Sequence, residues 1–138
     1  MAVFDLTQCV ALYHGTTKDF VYRAHVRAQR LASGSRSDPL YVSQSFSSAV
    51  GYAVDRARSY RSAPVVVVVA LDRVRDRIFE EGSQLHIEYI AADEGIFYQF
   101  SGEKRMEPDV IREIGDLFRR KFGVFPQELV VPVIEMRR

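Results

Sequence analysis

The sequence is poor in cysteine: Cys9 is the only one among its 138 residues. One thiol forms no internal disulfide and has no partner cysteine for a zinc site, which excludes a small domain held together by either. With only three histidines, scattered along the chain, a catalytic metal centre is also disfavoured. We expect Cys9 to be a small buried hydrophobic residue in a protein of the reducing cytoplasm.

Long hydrophobic runs are missing as well. No apolar stretch approaches the roughly 18–20 residues that span a bilayer. The N-terminus lacks the basic segment followed by an apolar one that marks a secretory signal. We therefore expect no membrane association and no signal peptide. The length and an apolar content of 47% predict one domain, residues 1–138, with a core of its own.

The common nucleotide-binding and hydrolase motifs are absent too. The chain has no phosphate loop, no G-x-G-x-x-G turn, no H-E-x-x-H pair and no G-x-S-x-G elbow. A Cys9 nucleophile with His14 as its base is disfavoured, because alternation along the predicted strand puts the two side chains on opposite or shifted faces. Arginine supplies most of the positive charge, and interspersed aspartates reduce the formal net charge to +1. These arginines indicate solvated faces, and they leave open a patch for phosphates or an acidic partner.

The hydrophobic patterns that are present predict a mixture of strands and helices. Five consecutive valines, residues 65–69, indicate a strand buried on both faces. Ser47 or Ser48 is the expected N-cap of one helix, and Gly123 the expected C-cap of another. The irregular order favours an α+β fold over a βαβ repeat. Strands are predicted at 9–16, 40–46, 64–72, 84–91, 94–100 and 127–138, and helices at 17–34, 47–61 and 107–123.

A set of aromatic and polar residues stands outside these patterns. It includes the stretch "YHGT" at residues 13–16, and Tyr41 and Tyr52, which are eleven residues apart. Taken singly, each fits an ordinary role. A lone histidine is more often a satisfied structural group than a ligand, and tyrosines often lie half-buried with the hydroxyl at the surface.

Together these residues resemble the catalytic core of the ADP-ribosyltransferases, in the branch of diphtheria toxin and the poly(ADP-ribose) polymerases. That branch carries a His–Tyr–Glu triad on three separate strands. "LYHGT" resembles its first motif, and "LYVSQSFSSAVGYA", with Tyr41 and Tyr52, resembles its second. "QELVVP" resembles the third, in which a glutamate opens a strand, and so implies Glu128. Glu88, in "HIEYIAA", is the alternative for that role.

The resemblance implies a split β-sandwich core with flanking helices that cleaves the nicotinamide–ribose bond of NAD without a metal. The backbone of Gly15 would hold the carboxamide, Tyr41 and Tyr52 would sandwich the nicotinamide ring, and His14 would bond a ribose hydroxyl of the adenosine half. Glu128 would bind the nicotinamide ribose and stabilise its developing positive charge. Ser45, like Thr16 and Ser43, would be a supporting donor. The implied catalytic residues are His14, Tyr41 and Glu128, and the implied NAD-binding residues are Tyr13, His14, Gly15, Thr16, Tyr41, Ser43 and Tyr52.

The acceptor is less defined. The arginine-modifying branch has a Glu or Gln two residues before its catalytic Glu, where this chain has Pro126, so arginine is a disfavoured target. The resemblance implies a mono-ADP-ribosyltransferase of a macromolecule, with protein favoured over nucleic acid, of the kind found among bacterial and phage toxins and effectors. Three alternatives stay open: modification of a small molecule, as in rifamycin inactivation; a catalytically dead binding module of the same fold; and, because of the arginines, an enzyme or binder directed at nucleic acid.

Overall fold

The protein was analysed as a computed structural model that describes residues 6–7, 9–21, 30–33, 39–101 and 106–130. The strands are β1 (Ala11–Thr17), β2 (Arg30–Ser33), β3 (Leu40–Val42), β4 (Pro64–Ala70), β5 (Ile78–Glu81), β6 (Gln84–Ile87), β7 (Tyr89–Ala91) and β8 (Gly95–Gln99). The helices are α1 (Phe46–Tyr60), α2 (Leu71–Val74) and α3 (Pro108–Phe122), with 3-10 turns at Arg75–Arg77 and Gln127–Leu129. A helical turn covers 18–21.

The described strands form small antiparallel sheets with the orders β1-β4-β8, β2-β7 and β3-β6-β5. The strands β1 and β4 pair along their whole length. The sheet β3-β6-β5 meets β1 at a single bridge, where Tyr13 and Ser43 each donate a backbone N–H to the other's carbonyl at 2.9 Å. Mixed helices and antiparallel sheets confirm the predicted α+β class.

The five valines place β4 in the middle of the molecule. All seven residues of β4 are buried, as the sequence predicted. Val65, Val67 and Val69 pack with a core that includes residues of β3 and β6, whereas Val66 and Val68 pack with residues of α1 and α3. β-Branched residues favour the extended backbone that this position needs. The sheet β1-β4-β8 is therefore a middle layer, with helices on one face and the second sheet on the other.

The two predicted helices at 47–61 and 107–123 are present as α1 and α3, and the predicted N-cap of α1 is corrected. The N-cap of α1 is Ser45, whose hydroxyl accepts the Ser48 N–H, so the prediction of Ser47 or Ser48 as the cap was wrong. The helix begins one residue earlier than predicted because Phe46 is buried against Tyr13 in the core. The C-cap of α3 is Gly123, whose φ of 80° is the left-handed conformation that glycine adopts without strain.

The helix predicted for 17–34 was wrong at its C-terminal end. Residues 18–21 are helical, but Arg30–Ser33 forms β2, which pairs with β7. The intervening residues 22–29, and Gly34, lie outside the described residues. Cross-strand hydrogen bonding to β7 decides the conformation here, against the local helical pattern.

Four predicted strands also differ in extent. The strand 84–91 is divided at Glu88 into β6 and β7, which pair with different partners. The strand predicted from 127 begins as a 3-10 turn at Gln127–Leu129, and 131–138 lie outside the described residues. The strands predicted for 40–46 and 64–72 stop early because α1 and α2 begin. That residues 1–138 form a single domain stays a prediction. No helix in the described ranges has the length and apolar character needed to cross a membrane.

Candidate functional site

A cavity of about 120 Å³ lies between β1, β3 and α1. Four of the predicted site residues line it: His14, Thr16, Tyr41 and Tyr52. The remaining wall consists of Phe20, Pro39, Leu40 and Arg56. A protein cavity of about 150 Å³ accommodates one benzene molecule. The present cavity is smaller than this, so it accommodates at most one ring, and only when its walls move.

Strand alternation in β1 decides which residues of the "YHGT" stretch reach this cavity. Successive side chains of a strand point to opposite faces. His14 and Thr16 line the cavity. Tyr13 points to the helix side, where its ring lies 5.5 Å from that of Phe46. A Cβ atom on Gly15 would lie 2.2 Å from the Ala49 carbonyl oxygen of α1. Glycine at this position is therefore required for α1 to approach β1.

The N–H and C=O groups of Gly15 point to one edge of β1 and not to either face of the sheet. Hydrogen bonds of an antiparallel pair alternate between the two edges of each strand. Lys18 donates its N–H to Ala63, next to β4, so the even-numbered residues of β1 bond on the β4 edge. Tyr13 bonds to Ser43 on the other edge. By the same alternation, the N–H and C=O of Gly15 point to the edge where β3 lies. Gly15 is not among the residues that line the cavity, so its contact with a carboxamide stays a prediction.

His14 presents a hydrogen-bond acceptor to the cavity. Its ring is 3% exposed, and Nδ1 lies 2.7 Å from the carbonyl oxygen of Tyr41. Because a carbonyl can only accept, Nδ1 carries the proton and Nε2 is the acceptor. Nε2 is buried without a hydrogen-bond partner among the described residues. Burial lowers the pKa of His14 to about 4 and the charge of Arg56 contributes, although the bond to Tyr41 opposes the shift. The ring is therefore neutral near pH 7 and suited to a hydroxyl donor.

The two tyrosines of the second motif come together as predicted. Tyr41 on β3 and Tyr52 on α1 have ring centroids 6.0 Å apart, with an angle of 44° between the planes. A planar ring inserted between two others needs about 7 Å, twice the usual carbon–carbon contact distance. The rings must therefore separate before they can sandwich a nicotinamide. Tyr52 is 41% exposed, on the outer side of this pair.

Arg56 is a site residue that the sequence interpretation missed, because it was assigned to a solvated arginine face. Its guanidinium carbon lies 5.5 Å from the centre of the Tyr52 ring and 5.7 Å from that of Tyr60. Nη1 donates to the Tyr52 hydroxyl at 3.3 Å. The spacing Tyr52, Arg56, Tyr60 places the three on one face of a helix, and this is the signal that could have identified Arg56.

Glu128 does not lie at the cavity. Its Oε1 accepts the backbone N–H of Ala11 at 2.8 Å and that of Val10 at 3.2 Å, and the residue is 4% exposed. The pKa of Tyr13 is raised mainly by burial and secondly by the negative charge of Glu128. The carboxylate of Glu128 therefore lies on the Tyr13 side of β1. The cavity is on the His14 side. The catalytic role of Glu128 stays a prediction without geometric support.

Glu88, the alternative acid, also lies outside the cavity wall. Leu40 of β3 pairs with Ile87 of β6. Glu88 follows the end of this pairing, at the bend between β6 and β7, and it is not among the residues that line the cavity. Glu88 is half-buried, and its N–H donates to the Arg77 carbonyl at 3.4 Å, which continues the pairing of β6 with the β5 side.

Three other predicted residues lie outside the cavity wall. Tyr13 is fully buried on the helix side of β1. Ser43 is buried, and its hydroxyl accepts the N–H of Ser45 at 2.9 Å in the turn before α1. Ser45 caps α1. These serines shape the turn that joins Tyr41 to Tyr52, and their geometry assigns them no contact with a ligand.

No group of three or more histidine, cysteine or acidic side chains that could hold a metal ion occurs in the part of the chain that the structure describes. Comparison with known proteins adds no identity: the chain matches no family model, no curated protein and no solved structure. Membership of the ADP-ribosyltransferases therefore stays a prediction that rests on the motifs and on the geometry of the cavity.

Proposed function

We propose that the protein is an NAD-dependent mono-ADP-ribosyltransferase with an ADP-ribosyltransferase-like core. The observation that carries this proposal is the neutral, buried acceptor Nε2 of His14 beside Tyr41 and Tyr52 at this cavity. Aromatic rings with a few fixed polar groups are what a nucleoside ligand requires. The acceptor of the ADP-ribose is a macromolecule, with protein favoured over nucleic acid.

Four of the predicted site residues have a defined task in this reaction. Tyr41 and Tyr52 hold the nicotinamide ring, and the N–H and C=O of Gly15 fix its carboxamide. Nε2 of His14 accepts a ribose hydroxyl. The bond between C1′ of the ribose and the nicotinamide nitrogen breaks, and its electron pair leaves with the neutral nicotinamide. The acceptor atom attacks C1′ and loses its proton. Positioning and electrostatic stabilisation of the cationic ribose supply the catalysis.

A carboxylate beside the ribose would stabilise this positive charge, and two candidates exist. Glu128 is bound to backbone N–H groups on the other side of β1, which leaves Glu88, the residue after the β3–β6 pairing, as the remaining candidate. Removing such an electrostatic group lowers the rate by about 10²–10³-fold. We therefore expect Glu88→Gln to lose most of its transfer activity, and Glu128→Gln to retain it when folded. The opposite result would return the role to Glu128.

Incubation with NAD labelled in its adenylate half, with a chelator present, tests the proposal. The account expects release of nicotinamide together with label attached to a macromolecule. Label on protein would identify the favoured acceptor class, and label on nucleic acid or on a small molecule would replace it. Absence of nicotinamide release by the wild-type protein, in the presence of a cell lysate as acceptor source, would contradict the proposed activity.

A second candidate is a module that binds NAD without transfer. The remoteness of Glu128 from the cavity favours it, because the predicted triad then lacks its acid. The same assay separates the two: saturable NAD binding without nicotinamide release supports the binding module, and release supports the enzyme.

A further inference from the structure

Arg56 lies in the cavity wall, close to two tyrosines of its own helix. It is half-buried on α1, one turn after Tyr52 and one turn before Tyr60. Its guanidinium carbon is within 6 Å of both ring centres, at 5.5 and 5.7 Å. A guanidinium near aromatic faces is attracted to them, and contacts on both sides restrict the side chain. The two tyrosines therefore hold the arginine where it forms part of the cavity wall.

The charge of Arg56 has no carboxylate partner among the described residues. The ion pairs found there involve Arg75, Arg77 and Arg119. Within the described ranges the Arg56 side chain makes one hydrogen bond, to the Tyr52 hydroxyl, and most of its five N–H donors have no partner there. The same charge contributes to lowering the pKa of His14, so it acts on the cavity side of α1. A cation held beside a cavity without a counter-ion suits an anionic ligand.

We infer that Arg56 binds a phosphate group of the ligand whose ring end enters the cavity. This rests on the proposed function, because it assumes that the same site takes a dinucleotide. The planar guanidinium matches two phosphate oxygens at once, which a lysine ammonium does not. Arg56 is then a specificity-determining residue: it selects a ligand that carries a pyrophosphate over the corresponding unphosphorylated nucleoside.

Calorimetric titrations with three probes test this inference: NAD, ADP and nicotinamide riboside, which lacks the pyrophosphate. The proteins are the wild type, Arg56→Gln, Arg56→Lys and Arg58→Gln. Arg58 is exposed on the same helix, so its variant removes an equal charge away from the cavity. We expect Arg56→Gln to weaken NAD and ADP binding by about tenfold or more. Nicotinamide riboside should change by less than about twofold, and Arg58→Gln should bind all three like the wild type.

Arg56→Lys should recover only part of the lost affinity for NAD. The inference is overturned if Arg56→Gln binds NAD and ADP like the wild type. It is also overturned if NAD and nicotinamide riboside weaken equally, since Arg56 then supports only the tyrosine rings. If nicotinamide riboside binds too weakly to measure, the ADP titration alone tests the inference: weaker ADP binding by Arg56→Gln supports it, and unchanged ADP binding overturns it.

Failure of the proposed function gives a different result. A wild-type protein that binds ADP through Arg56 but neither binds nor cleaves NAD keeps the phosphate contact and overturns the proposed function. A wild-type protein that binds neither ADP nor NAD overturns both.

Discussion

The two faces of β1 carry neighbouring residues with different surroundings. On one face, His14 and Thr16 line the cavity together with Tyr41 on β3. On the other, Tyr13 and Gly15 pack against α1 with no space left over. Alternation along the strand therefore gives neighbouring residues of one short motif two different surroundings. Its odd-numbered side chains fix the helix in place, and its even-numbered side chains face the proposed ligand.

The largest effect is expected on the helix face, at Gly15. The Cβ of Gly15→Ala would lie 2.2 Å from the Ala49 oxygen and 2.8 Å from the Ala53 nitrogen, which are backbone atoms that cannot move alone. We expect the free energy of unfolding to fall by about 3 kcal/mol or more, measured by urea denaturation. Gly51→Ala is the matched control, because nothing lies within 4 Å of its added Cβ. It should gain about 0.5–1 kcal/mol of stability. A stable Gly15→Ala protein would show that this face is not tightly packed.

Glu128 should also act through the fold. Glu128→Ala removes the acceptor for the Val10 and Ala11 N–H groups, and buried donors left unpaired cost about 1–3 kcal/mol. We expect a loss of about 2–3 kcal/mol in urea denaturation, with a smaller loss for Glu128→Gln, which keeps an acceptor oxygen. The folded Glu128→Gln protein should bind NAD like the wild type. Unchanged stability of Glu128→Ala would contradict the structural role.

On the cavity face, His14 should make the free energy of unfolding depend on pH. The pKa of His14 is about 4 in the folded protein, against 6.5 for an unperturbed histidine. Between pH 4 and pH 6.5 the histidine is protonated in the unfolded chain but neutral in the folded protein, so the unfolded chain binds more protons. The folded protein therefore keeps its full stability with respect to His14 above pH 6.5 and loses stability as the pH falls towards 4. From pH 7 to pH 5 the loss is about 2 kcal/mol.

A variant without the titrating ring isolates that contribution. His14→Gln should lose about 2 kcal/mol less than the wild type over the same pH interval in urea denaturation. Other acidic groups contribute equally to both proteins, so they cancel in the difference. Equal losses would mean that His14 is not held neutral by burial.

The smallest expected effect concerns the tyrosine pair. Tyr41→Ala should weaken NAD binding by about 0.5–1.5 kcal/mol, because ring stacking is lost. Tyr41→Phe should bind almost like the wild type, since stacking needs the ring and not the hydroxyl. Calorimetry with both variants provides the measurement. Equal losses would assign the contribution to the hydroxyl and remove the basis of the ring sandwich.

The sequence was sufficient where periodicity and local chemistry agree. The valines of β4, the amphipathic pattern of α3 and the glycine after it identify their elements because each is determined by nearby residues. It was insufficient where distant partners decide. Arg30–Ser33 is a strand because β7 pairs with it, and Glu128 is drawn into a turn by N–H groups more than a hundred residues away.

The candidate site divides in the same way. Tyr41 and Tyr52 were predicted to meet because a strand and the next helix carry them at a known spacing, and they do meet. Glu128 was expected at the site because residues 127–138 were predicted to form a strand. No local sequence pattern in that segment was specific enough to support this prediction. Arg56 was missed because charge runs on helices are usually solvated, and only the contacts with Tyr52 and Tyr60 distinguish it.

A titration of the wild-type protein with NAD, in the presence of a chelator, tests most directly whether the cavity face of β1 is a ligand site. The account predicts saturable heat for one NAD per chain and a rise in the melting temperature, both reduced in Tyr41→Ala. No heat and no thermal shift at millimolar NAD would contradict it, and His14 and the two tyrosines would then be structural residues only.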